Sequence, residues 1–137
     1  MKKVLILLIF PFLAISCRDF GDKTQIQTIN LQVNQSDWIE STDNDGKNRY
    51  YSCSFFMPEI TPAVYEYGNV QAYVTFDNTQ QVMPYVRHYE DINGNRWTRT
   101  VDYDYSEGNL IVYVTNSDFI RDSPETMTFR VVLMWQD

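Results

Sequence analysis

The stretch "WTRTVDYDY", residues 97–105, alternates between two kinds of side chain along its whole length. One set is mostly large and the other is short or acidic: Trp97, Arg99, Val101, Tyr103 and Tyr105 against Thr98, Thr100, Asp102 and Asp104. Successive side chains of a β-strand point to opposite faces, so this period of two indicates a strand with one buried face. We therefore expect Tyr103 and Tyr105 to be buried beside Val101, with Asp102 and Asp104 on the wet face.

Similar runs recur through the rest of the chain. They occupy Ile29–Val33, Asp37–Glu40 with Trp38, Tyr50–Phe56, Val70–Phe76, Val82–Tyr89, Leu110–Thr115 and Met127–Trp135. Turn-forming residues separate them at Asp43–Gly46, Asp91–Gly94 and Glu107–Asn109. About eight short strands at this spacing predict an all-β fold, an antiparallel β-sandwich of jelly-roll or immunoglobulin-like type, with a small barrel as the alternative. Pro84 lacks an N–H group, so we expect it at a strand start or an edge.

One segment favours a short helical turn within this pattern of strands. In "ITPAVYEYG", residues 60–68, Thr61 can cap the turn and Pro62 suits its first position. Gly68 is then expected to end it in the left-handed conformation.

The N-terminus has the layout of an export signal. Lys2 and Lys3 precede an apolar run, Val4–Ile15, which is shorter than the roughly 20 residues that span a bilayer. The following residues, Leu13–Cys17, resemble a bacterial lipobox. The resemblance implies that Cys17 receives a diacylglyceryl group on sulfur, becomes the new N-terminus and is acylated there, for example with palmitate. A plain signal peptide with an incidental cysteine is the alternative.

These features divide the chain into a signal peptide (residues 1–16), a lipidated tether (17–23) and one β-sandwich domain (24–137). Without Lys2 and Lys3, nine basic side chains stand against 18 acidic ones, a net charge of −9. Such acidity disfavours nucleic acid as a partner. The expected membrane contact is the lipid on Cys17, and two or more acyl chains make a stable tether.

The mature chain resembles, over most of its length, a group of small Bacteroidetes lipoproteins with β-sandwich heads and no assigned activity. The residues that carry the resemblance are Ser36–Trp38, Tyr50–Tyr51, "TPAVYEYGNVQAYV" (61–74), Met83–Tyr85 and "TFRVVLMW" (128–135). Asp19 and Asp22 also resemble the acidic stretch that follows the lipidated cysteine in surface-displayed members. The resemblance implies an outer-membrane location, facing either the periplasm or the cell surface.

Catalytic and metal signatures are weak in this sequence. The one histidine, His88, has no partner in a nucleophile motif, and a zinc site needs three or four His or Cys ligands. We expect no enzymatic activity, no cofactor and no metal, although Asp102 and Asp104 leave a hydrolase as a third hypothesis. The second cysteine, Cys53, is expected to pack in the core. Two turns have oxygen donors two residues apart, Asp43/Asp45 and Asp91/Asn93. Their spacing fits calcium, but turn-backbone hydrogen bonds explain it more simply.

Aromatic residues make up 15% of the chain, which is the one surplus feature of its composition. Core filling is their ordinary role. A sharper hypothesis is an exposed ligand platform that includes Trp97, Tyr85 and Tyr89 and binds a glycan or a protein. The chain is thus predicted to be a lipid-anchored binding or accessory module. The alternative is a structural or assembly subunit that joins partners by β-strand addition, with Met127–Trp135 as the pairing edge.

Overall fold

Two antiparallel sheets are formed by residues 23–136, the part of the chain that the computed structural model describes. Along the chain the elements are β1 (Thr24–Val33), a 3-10 turn (Gln35–Asp37), β2 (Ile39–Thr42), β3 (Arg49–Phe56), α1 (Pro62–Tyr67), β4 (Asn69–Phe76), β5 (Thr79–Val82), β6 (Tyr85–Glu90), β7 (Arg96–Ser106), β8 (Asn109–Asn116) and β9 (Met127–Gln136). The sheet orders are β1-β9-β4-β5 and β2-β3-β8-β7-β6. The predicted all-β sandwich is confirmed.

The predicted signal peptide, Cys17 and all of the predicted tether except Lys23 lie outside the described residues. Among residues 23–136, no helix has the length and apolar character needed to cross a membrane.

The core lies between the inner faces of the central strands. Many of its members alternate along β4, β8 and β9, where each is at most 3% exposed: Val70, Ala72, Val74, Leu110, Val112, Val114, Phe129, Val131 and Leu133. Two specific contacts of aromatic side chains add to this core. The Tyr103 hydroxyl donates to the carbonyl of Val70 at 2.9 Å, and the Trp38 ring meets Phe129 edge-on at 6.4 Å. Apolar burial therefore fixes which face of each strand points inward.

Cys53 follows the same alternation in β3. Its side chain is half-buried and packs against the core, as the sequence predicts for this position. Burial, and secondarily the charge of Asp37, raise the pKa of this thiol. A raised pKa keeps the group protonated and weakly nucleophilic at neutral pH.

The burial predicted for the large side chains of β7 is confirmed only in part. Val101 is fully buried and Tyr103 is half-buried, but Tyr105 is 37% exposed. The expectation that Tyr105 is buried is therefore wrong. Its ring lies beyond the well-covered part of the strand, where Tyr65 of α1 meets it edge-on at 6.0 Å and Tyr103 stacks on it at 6.3 Å.

Nine strands form because the predicted run Val82–Tyr89 divides into two. β5 ends at Val82 in the four-stranded sheet, and β6 begins at Tyr85 in the other sheet. Pro84 lies at the crossing, where no ladder donor is required. Met83 is buried, and its N–H donates to the Ala72 carbonyl at 3.0 Å.

The strand predicted at Asp37–Glu40 has the expected length but lies two residues later in the chain, at Ile39–Thr42. Gln35–Asp37 form the 3-10 turn, and β2 begins only at Ile39. Trp38 lies between them, buried, and its Nε1 donates to the Glu125 carbonyl at 3.1 Å. A buried indole needs such a partner.

The predicted pairing edge Met127–Trp135 is wrong, because β9 is a central strand. It pairs with β1 on one side and with β4 on the other. The edges of the two sheets are instead β1, β5, β2 and β6. The pairing of β1 with β9 also differs from the immunoglobulin order, in which the first strand pairs with the second.

The short helix begins as predicted and ends differently. The Thr61 hydroxyl accepts from the Val64 N–H at 3.3 Å, and Pro62 occupies the first position. Gly68, however, is extended, with φ of −98°, so the predicted left-handed exit is wrong. A Cβ at this position would lie 2.5 Å from the Met134 carbonyl oxygen and 2.7 Å from that of Val64. The glycine is required because α1 packs directly on β9.

We expect Gly68→Ala to lower the free energy of unfolding by about 2 kcal/mol, since backbone carbonyls cannot easily move away from an added methyl group. The φ angle itself suits alanine, so the loss measures crowding and not backbone strain. Urea unfolding followed by tryptophan fluorescence checks this value. Asn69→Ala, at the exposed neighbour, should change stability little, and equal stability of the two variants would contradict the assigned close contact.

Candidate functional site

Trp97 and Tyr89 meet at one end of the five-stranded sheet. They are directly opposite in the register of β6 and β7. Their rings stack with centroids 5.5 Å apart and an angle of 13° between planes. Both residues are half-buried, so the stack is anchored to the sheet and still has accessible surface.

The hairpin that joins these two strands is held by Asp91. One carboxylate oxygen accepts from the N–H groups of Asn93 (2.8 Å) and Asn95 (2.9 Å), and the other accepts from the Asn95 amide at 2.7 Å. These bonds, above all the one from the Asn95 side chain, lower the pKa of Asp91. Gly94 has a φ of +81°, which glycine adopts without strain. The turn thereby fixes the base of the Tyr89–Trp97 stack.

The turn at Asp43 is built in the same way. Its carboxylate accepts from the N–H groups of Lys47 and Asn48 and from the Asn48 side chain. Desolvation opposes ionisation, but these hydrogen bonds outweigh it and lower the pKa of Asp43. In both acidic turns the leading carboxylate is thus occupied by backbone and amide donors. Among residues 23–136, no three His, Cys, Asp or Glu side chains are grouped closely enough to hold a metal ion.

Two grooves flank Trp97. One, of about 420 Å³, is lined by His88, Tyr89, Glu90, Arg96, Trp97, Thr98 and Ser117. The other, of about 470 Å³, is lined by Asp91, Asn95, Arg96, Trp97, Arg99, Asn116, Asp118, Ile120 and Asp122. We call the two grooves together the Trp97 cleft. An aromatic ring bordered by several hydrogen-bonding groups is the usual composition of a ligand site.

Arg99 forms the inner wall of the cleft. Its Nη1 donates to both carboxylate oxygens of Glu125, at 3.0 and 2.9 Å, and its Nε donates to Asn116 Oδ1 at 3.1 Å. The guanidinium carbon lies 5.8 Å from the centre of the Tyr89 ring. Arg99 therefore connects three parts of the site: the aromatic stack, the end of β8 and the segment before β9.

The loop of residues 117–126 covers one side of the cleft. Ser123 donates to the Gln35 carbonyl at 3.1 Å, and the Gln35 N–H donates to Thr126 at 3.3 Å. Arg121 forms an ion pair with Glu40 at 3.5 Å. The loop is tied to the sandwich at several points, and this places Asp118 and Asp122 beside the cleft.

Tyr85, the third residue of the predicted platform, is not part of this surface. It is 5% exposed, and its ring packs against Phe76 at 5.3 Å between the two sheets. Arg87 lies over the same ring, 5.2 Å from its centre. Tyr85 lies nearer the middle of the sheet than Tyr89, where the core covers the inner face. Of the three residues predicted for the platform, only Trp97 and Tyr89 therefore share an accessible surface.

His88 borders the cleft as an edge-strand residue. It is exposed, and its Nδ1 lies 2.8 Å from the Thr98 hydroxyl on the neighbouring strand. Asp102 and Asp104 lie farther along β7 on the outer face of the sheet, together with Tyr50 and Tyr113. Desolvation, and then the charge of Asp104, raise the pKa of Asp102.

The Tyr50–Tyr113 pair was not predicted as a surface feature. Its rings meet edge-on with centroids 5.9 Å apart. The alternation along the two strands indicates that both side chains face outward, because Tyr113 lies between the buried Val112 and Val114 and Tyr50 precedes the buried Tyr51. No sequence pattern predicts that Arg99, Asn116 and loop 117–126 belong to the site, since only the fold brings them beside Trp97.

The chain matches no known protein-family model, and no curated protein or solved structure is significantly similar to it.

Replacing Arg99 with Gln should loosen loop 117–126, because the paired bonds to Glu125 and the bond to Asn116 are lost together. We expect trypsin to cleave after Arg121 several-fold faster in Arg99→Gln than in the wild type, as measured by mass spectrometry of timed digests. Arg96→Gln is the matched control, since Arg96 is exposed on the same strand and pairs with Glu90. Equal acceleration in both variants would contradict a specific role for Arg99.

Proposed function

We propose that this chain is a lipid-anchored cell-envelope lipoprotein whose β-sandwich acts as a non-catalytic binding or accessory module. The ligand site is the Trp97 cleft, and the observation that carries the proposal is the Tyr89–Trp97 stack between two grooves. The anchor is the lipid on Cys17, which places the domain at the outer membrane, on its periplasmic or outer face. The lipobox-like sequence Leu13–Cys17 supports this part.

A neutral glycan is the ligand class that the cleft suits best. The C–H face of a sugar ring is apolar and packs on an indole, while its hydroxyls both donate and accept hydrogen bonds. Asp118, Asn95 and Arg96 supply acceptors and donors around Trp97. The net charge of −9 in the mature chain disfavours acidic sugars. A protein ligand, bound through the same aromatic stack, is the alternative occupant.

A non-catalytic role is supported by the surroundings of the candidate catalytic groups. His88 is hydrogen-bonded to a threonine, and Asp102 lies on an open sheet face with Asp104 and two tyrosines. Neither arrangement contains a nucleophile activated by a neighbouring base.

Assembly by β-strand addition is the second candidate function. The strand that the sequence predicts for this role, Met127–Trp135, is central and has no free edge. The observation that favours the candidate is the long edge of β1.

Cys17→Ala should release the protein from membranes, because the only proposed attachment is through its sulfur atom. We expect the full-length variant to move from the washed membrane pellet to the soluble fraction, as detected by immunoblotting. Cys53→Ala is the matched control, since it removes the other cysteine, and it should stay in the pellet. Mass spectrometry of the wild-type N-terminus should find an acylated Cys17. A Cys17→Ala protein that pellets like the wild type would refute the anchor.

Trp97→Ala should weaken glycan binding about thirtyfold, because removing a central aromatic contact costs about 2 kcal/mol. The full-length protein in detergent is applied to an array of neutral glycans, and affinity for any positive glycan is measured by calorimetry. Tyr67→Ala is the control, because Tyr67 is 81% exposed on α1, outside the cleft. A glycan bound equally by the wild type and Trp97→Ala would place its site elsewhere.

A further inference from the structure

The four edge strands differ in how they are protected against pairing with another chain. An edge strand presents unpaired backbone N–H and C=O groups, and proteins usually block it by shortness, charge, proline or a bulge. β2 and β5 have only four residues each. β6 contains Arg87, His88 and Glu90 within six residues and follows Pro84. Three of the four edges therefore carry an evident block.

β1 carries none of these blocks. It has ten residues, with neither a charged residue nor a proline. It pairs with β9 without interruption from Thr24 opposite Gln136 to Val33 opposite Met127, so the strand has no bulge. Among residues 23–136, β9 is the only strand that pairs with β1. The far edge of the segment 26–33 can therefore receive another strand.

The side chains of β1 favour an uncharged occupant. On its outer face, Ile26 is 66% exposed, and Thr28, Asn30 and Gln32 are exposed and polar. Side chains directly opposite in a strand pair contact each other, and like charges at such positions repel. Two copies of this acidic protein, each with a net charge of −7, repel over most of their surface. β1 is the long edge at which two copies can meet without placing like charges opposite each other.

We propose that β1 pairs antiparallel with β1 of a second copy, which joins the two four-stranded sheets into one continuous sheet of eight strands. Such a contact is isologous and closes with two copies. The edges left in the joined sheet are the four-residue β5 strands, which limits further growth. Pairing also covers part of Ile26. This inference rests on the second proposed function and is independent of the Trp97 cleft and of the anchor.

The test places like charges on the proposed contact. Thr28→Lys/Asn30→Lys puts two lysines of each copy near those of the other, since both residues share the outer face of β1. The full-length protein in detergent is studied by analytical ultracentrifugation. We expect a wild-type dimer and an increase of about tenfold or more in the dissociation constant of the lysine variant. Gln80→Lys/Val82→Lys, on the other edge of the same sheet, is the matched control and should dimerise as the wild type does.

A charge-reversal mixture identifies the occupant. Thr28→Glu/Asn30→Glu alone should also be monomeric, whereas its mixture with the lysine variant should recover a dimer, because opposite charges then face each other. Recovery also shows that both variants are folded. A monomeric wild type, an undisturbed dimer in the lysine variant, or a mixture that stays monomeric would each overturn the proposal. None of these results bears on membrane release of Cys17→Ala or on glycan binding by Trp97→Ala.

Discussion

Apolar contact between the inner faces of β4, β9, β8 and β7 is the interaction on which the rest of the sandwich depends. Side chains such as Val74, Val112 and Leu133 are fully withdrawn from water, and each contributes roughly 1.5–3 kcal/mol in transfer free energy. Because alternate residues of a strand share a face, these contacts fix the outward residues as well. The bond from Tyr103 to the Val70 carbonyl adds a specific link between the sheets.

The Trp97 cleft arises where this apolar face continues beyond the core. Val101, Arg99 and Trp97 lie on the same side of β7, but only Val101 is fully buried. Past it, the inner face is covered by loop 117–126 in place of the other sheet. Arg99 suits that boundary, since its guanidinium contacts an aromatic ring on one side and binds a carboxylate on the other. An anchored arginine with a stacked aromatic pair gives the domain a rigid recessed surface at the end of its sheet.

Sequence patterns located most strands and some of the site. The alternation around Val101 identified β7, and the turn at Asp91–Gly94 placed Tyr89 and Trp97 on adjacent strands. The same patterns were incomplete or wrong where one residue type is compatible with more than one structural role. The expected position of Pro84 at a strand start or an edge is correct, because it directly precedes the edge strand β6, but the crossing between the two sheets at this point was not predicted. Gly68 was predicted to adopt the left-handed conformation. In the structure a glycine is required there because a Cβ atom would be too close to the backbone of β9. Tyr85 and Tyr89 share a phase and a residue type, and only the extent of the opposite sheet distinguishes their burial.

The sequence by itself determined the all-β class, the short capped helix and the inward face of each central strand, because these follow from side-chain size and a period of two. Tertiary structure decided the sheet order, the edges and the composition of the cleft. The central position of β9 and the long edge at β1 follow from pairing between strands about a hundred residues apart in the chain, which no local pattern encodes. The contact between Arg99 and Glu125 is likewise non-local, because it exists only after β9 has brought the preceding loop back against β7.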